Sequence, residues 1–111
     1  MTRKEFDTFI GHITSSGLLD IRTGHELYID RYTVVRKSKM TRSATMTFLP
    51  VGHGHNVPLV LRIDKPGRGH FVDVTISVGR NEVMTNCVPN KLGARHVRER
   101  CIDVARHRGL I

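Results

Sequence analysis

His53 and His55 stand one residue apart in the stretch VGHGHN, between the apolar runs FLPV and VPLVL. On a strand, such a pair points both imidazoles to one side, the arrangement that zinc and iron sites use. Here a glycine sits on either side of His53, which marks a turn instead. The chain holds seven histidines, so further ligands are within its means. His25, with a carboxylate such as Glu82, completes a site if the turns carrying them share one end of a sheet. Zinc held by His25, His53 and His55 is therefore one expectation, and a chain without any cofactor is the other.

Other reactive combinations are poorly supported. Cys87 and His96 have the types of a nucleophile and its base, but both cysteines, Cys87 and Cys101, fall on apolar faces, where packing accounts for them. They are expected as buried thiols, the alternative being one bridge between a late strand and the last helix. The HIT at His12 has no second H-x-T, and no GK[ST] phosphate loop occurs. Asp64 and Asp73 flank KPGRGH without the Glu and Lys that a nuclease-type metal site uses. The chain reads as non-catalytic.

Charge is the stronger signal. The formal net charge is +8, and residues 35–70 carry seven Lys or Arg against a single acid. A local excess of this kind attracts polyanions by releasing their counterions. No apolar run reaches the roughly 18 residues of a membrane span, and the N-terminus lacks a continuous apolar stretch. A cytoplasmic protein without membrane contact is expected.

The elements decide which of these residues meet. Thr2 and Glu5 form a capping box, and Met1 and Phe6 a hydrophobic staple. Phe6, Phe9, Ile10 and Ile13 then share one helical face. This predicts a helix over residues 3–15, closed by Gly17 as a left-handed cap. ELYIDRYTVV, SATMTFL, VPLVLRI, HFVDVTISV and EVMTNCV read as strands, with strict alternation in the third and fourth. Alternation fails near Asp30 and Arg31, which predicts a bulge. A last helix, capped by Asn90, buries Ala94, Val97, Cys101 and Val104. Gly109 ends it and Leu110 folds back. The expected fold is one α+β domain over residues 1–111. It is an antiparallel meander of about five strands, with an N-terminal and a C-terminal helix packed on one face.

In a meander, alternate turns lie at one end of the sheet. RKSKMTR supplies Arg36, Lys37, Lys39 and Arg42, and KPGRG supplies Lys65 and Arg68. These six cations should share an edge suited to phosphate contacts. Pairing Ile63 with His70 would set Arg62 opposite Phe71 on the open face. Tyr28 and Tyr32 share a parity and should point outward too. Aromatics with arginine on an exposed sheet suit stacking by unpaired bases, and equally the interface of a homodimer. On the last helix, Arg95, Arg98, Arg100, Arg106 and Arg108 alternate with Glu99 and Asp103, as a salt-laced solvent face does. Its outer end, Arg106 to Arg108, extends the basic surface.

The expected partner is thus a nucleic acid, DNA or RNA, bound through its phosphates. The alternative is a regulator or inhibitor, such as a virus or mobile element would encode, docking on an acidic protein.

Overall fold

The computed structural model describes residues 3–36, 42–51, 57–65 and 70–111, without the side chains of Arg3, Val35 and Arg36. The chain runs α1 (Arg3–Thr14), β1 (Leu18–Leu19), β2 (Glu26–Arg36), β3 (Arg42–Pro50), β4 (Leu59–Lys65), β5 (Val72–Val78), β6 (Asn81–Cys87) and α2 (Lys91–His107). All six strands join one sheet in sequence order, each antiparallel to the next. The expected meander with two helices is the fold. The strand beyond the expected five is β1, whose two residues are too few to carry a period.

Period-two alternation drives the sheet to one-sided burial. Ala44, Met46 and Phe48 of β3, Leu59, Leu61 and Ile63 of β4, and Val72, Val74 and Ile76 of β5 are all fully buried. They face Phe6, Phe9, Ile10 and Ile13 of α1 and Ala94, Val97, Cys101 and Ala105 of α2 in one core. Each large aliphatic side chain enclosed this way contributes about 1.5–3 kcal/mol.

The helix ends are fixed by specific groups. Asn90 caps α2, its Oδ1 accepting from the Gly93 amide at 2.8 Å. Gly109 adopts φ +76°, and the Leu110 amide donates to the Ala105 carbonyl at 2.8 Å while Gly109 donates to Arg106 at 3.2 Å. That is a Schellman ending, and Leu110 is buried by it. At the start of α1, Met1 and Thr2 lie outside the described residues.

Gly17 departs from expectation, since it is not in the left-handed region. It is needed for closeness. A Cβ there would sit 2.6 Å from the Leu27 carbonyl oxygen. Gly93 is tighter still, because an added Cβ would collide with the Val88 carbonyl.

The bulge falls where alternation fails, with the β2–β3 register shifting between Ile29 and Arg31. Two buried cysteines carry free thiols. Burial pushes the Cys87 thiol up to about 11 and the Cys101 thiol up to about 12. Both are held as thiols at neutral pH by their burial. No helix among the described residues is long and apolar enough to cross a membrane.

Candidate nucleic-acid interface

Antiparallel register brings the β2–β3 and β4–β5 connections to the same end of the sheet. Arg36 pairs with Arg42, and Arg42 pairs with Lys65, so three cationic residues occupy directly opposed positions on β2, β3 and β4. Arg36 and Arg42 are the last rungs of a ladder rather than loop residues. Lys37, Lys39 and Arg68 lie outside the described residues. The same end carries His70 and Phe71, both exposed, before β5. It also carries Lys91 at the start of α2 and Lys4 of α1, which lines a shallow hollow with Pro89 and Asn90.

Lys65 corrects the expectation of a cation at a hairpin tip. It ends β4 with the parity of Leu61 and Ile63, and it is only 5% exposed. Its parity turns it toward the helix side, where a lysine stem covers apolar surface. Arg42, half-buried, is the better exposed of the two.

The aromatic residues do not assemble as expected. The β4–β5 register pairs Ile63 with Val74 and Arg62 with Thr75, four residues displaced from the expected pairing. Phe71 is therefore not opposite Arg62. Tyr28 and Tyr32 share a sequence parity, but the bulge between them reverses it. Tyr28 lies opposite Leu49 on the open face, whereas Tyr32 lies opposite buried Met46 on the helix side. Burial, and then the Asp7 carboxylate on α1, push the Tyr32 phenol above its usual value. Of the three rings, only Phe71 stands at the cationic end.

The open face is not basic at its centre. Arg62 lies between Thr45 and Thr75, and its Nε pairs with Asp64 Oδ2 at 2.9 Å. Asp64 sits directly opposite Asp73. The Arg62 guanidinium is thus paired with one carboxylate, and a second, Asp73, stands opposite that partner, which disfavours a phosphate backbone there.

The arginines of α2 divide by role. Arg95 pairs with Glu99 at 3.3 Å on the solvent side, as its spacing predicts. Arg98 instead reaches α1: its Nη1 donates to the Ile13 and Ser16 carbonyls at 2.6 and 3.1 Å, and its Nη2 to the Gly17 carbonyl at 2.7 Å. These are acceptors that a helix C-terminus leaves open. Arg106 binds Asp20, which is 1% exposed, and also Asp103 at 3.3 Å. Arg106 therefore ties the fold together and does not extend the basic surface. The signal for Arg98 is its place beside Val97, at the border of the buried stripe, from which a long side chain reaches inward.

At the other end of the sheet, His25 is half-buried in the β1–β2 turn. Its carbonyl accepts from the Asp20 amide at 2.9 Å, and its own amide donates to Thr23 Oγ1 at 3.3 Å. The Val51 amide donates to the Glu26 carbonyl at 2.8 Å, so the segment with His53 and His55 departs beside this turn. Both of those histidines lie outside the described residues. Among the described residues, no three His, Cys, Asp or Glu side chains cluster as metal ligands.

No protein-family model matches the chain, and no curated protein and no solved structure is significantly similar to it.

Proposed function

We propose that the chain is a small, non-catalytic binding module that holds nucleic-acid phosphates at the sheet end from which the β2–β3 and β4–β5 connections leave. The observation that carries this reading is the register, which brings the β2–β3 and β4–β5 connections to one sheet end at the row of opposed positions Arg36, Arg42 and Lys65. A polyanion laid along that end gains the entropy of its released counterions. Lys37, Lys39 and Arg68 belong by sequence to the two connections that begin at this row. Phe71, 55% exposed at the same end, offers a ring on which an unpaired base can stack. Contacts of this type position a strand without reading its sequence, so sequence preference is weak.

The test is fluorescence anisotropy with a labelled single strand and with a duplex. Binding is expected at about 50 mM salt and should weaken by orders of magnitude toward about 200 mM. Absence of binding to both probes at the lower salt sinks the reading.

A further inference from the structure

An apolar groove runs along α2, from Lys91 near the cationic sheet end toward the opposite end of the helix. It is about 410 Å³ in volume, with Leu19, Ile21, Ala94 and Ile102 among its walls and Lys91, Arg95, Arg98 and Glu99 along its rim. Beyond Ile102 it continues into a second hollow of about 180 Å³, bounded by Arg22, Asp103 and Arg106. Ile21 is 91% exposed and Leu19 is 49% exposed. Ile21 is the second residue after β1, in the β1–β2 turn, a position at which folding gains nothing from a large aliphatic side chain. A patch of this kind, rimmed by charge, marks an interaction surface.

We propose that this groove docks an acidic segment of a partner protein, anchored by large aliphatic side chains. The apolar floor calls for anchors that a nucleic-acid backbone lacks. The charge along the groove is net positive: Arg95 pairs with Glu99 and Arg106 with Asp20 and Asp103, and Arg22, Lys91 and Arg98 add cations, with Arg98 donating to neutral carbonyls. A second copy is the poorer occupant, because two identical cationic rims would face each other in a chain of net charge +8. The span from Lys91 to Arg106 is roughly 22 Å at 1.5 Å per residue, which accommodates roughly 15 residues of helix. The segment recognised is therefore a short amphipathic helix laid beside α2.

Isothermal titration calorimetry with two synthetic helices of about 15 residues tests this. Both carry leucines on one face, and they differ only in having Glu or Lys at every other position. The Glu peptide should bind at least about tenfold more tightly than the Lys peptide. Ile21→Asp and Arg95→Glu should each weaken the Glu peptide by about tenfold or more. Both should leave thermal unfolding and oligonucleotide binding unchanged. Arg42→Ala, at the cationic sheet end, should leave peptide binding as it was. The proposal is overturned if the Lys peptide binds equally well or the Glu peptide does not bind. It is also overturned if Arg42→Ala weakens the Glu peptide while Ile21→Asp does not, which would place it at the sheet end. A sedimenting dimer that Ile21→Asp dissociates would make a second copy the occupant and overturn it as well.

Discussion

Arg106 grips Asp20 through two hydrogen bonds, Nε to Oδ2 at 3.1 Å and Nη2 to Oδ1 at 3.0 Å. The pair ties the last turn of α2 to the residue that follows β1, 86 positions earlier in the chain. Asp20 Oδ1 also accepts from the Arg22 amide at 3.0 Å, so the carboxylate organises its own turn as well.

This pair makes stability depend on acid pH. The Arg106 guanidinium, with smaller help from the Arg22 amide, lowers the Asp20 carboxyl from 3.8 to about 2. The folded chain thus binds fewer protons than the unfolded chain in that interval. The stabilisation is complete above about pH 4 and disappears as pH falls through about 2. Thermal unfolding followed by circular dichroism should show a midpoint that drops across this window. In Asp20→Asn the drop should be shallower, and the variant should be less stable at pH 7.

Arg98 closes the C-terminus of α1 with three carbonyl contacts and one to Ser16 Oγ at 3.0 Å. Hydrogen bonds to a charged group contribute about 1.5–3 kcal/mol each when buried, and these are partly exposed. Arg98→Ala should cost about 2 kcal/mol in all, read as a lower urea midpoint with an unchanged slope. Arg98→Lys should recover only part of it, because an ammonium cannot span four acceptors as a planar fork does. A loss of stability no larger than that of Arg95→Ala would contradict the capping role.

Three glycines separate closeness from freedom. Gly93→Ala drives a Cβ into the Val88 carbonyl, and Gly17→Ala sets one 2.6 Å from the Leu27 carbonyl. Backbone must move in both, so each should destabilise by more than about 1 kcal/mol, as incompatible glycine replacements do. Gly11 lies within α1 with nothing within 4 Å of an added Cβ. Gly11→Ala should therefore stabilise by about 0.5–1 kcal/mol. Urea unfolding of the three variants decides whether the order holds.

The architecture was legible because alternation fixes which face each strand buries. Val72, Val74 and Ile76 could face the core in only one way. Alternation does not fix register, since a shift of two or four residues keeps every side chain on its face. That freedom separates the expected Arg62–Phe71 pair from the observed Arg62–Thr75 pair. The bulge after Ile29 was legible too, yet its consequence is that Tyr28 and Tyr32 lie on opposite sides of the sheet. The contacts of Arg98 and of Asp20 with Arg106 join residues more than 80 apart, beyond any local pattern. The parity that buries Lys65 was readable from Leu61 and Ile63, and the turn-like sequence after it concealed this.

Phosphate binding at the cationic end is tested most directly by the slope of log binding constant against log salt concentration, measured with a single-stranded oligonucleotide. Each phosphate neutralised contributes about 0.7 to that slope. Wild type should bind with a steep slope, and the combined variant Lys37→Ala, Lys39→Ala and Arg68→Ala should bind more weakly, with a slope smaller by about 2. Equal slopes and equal affinities for the two proteins would contradict the account.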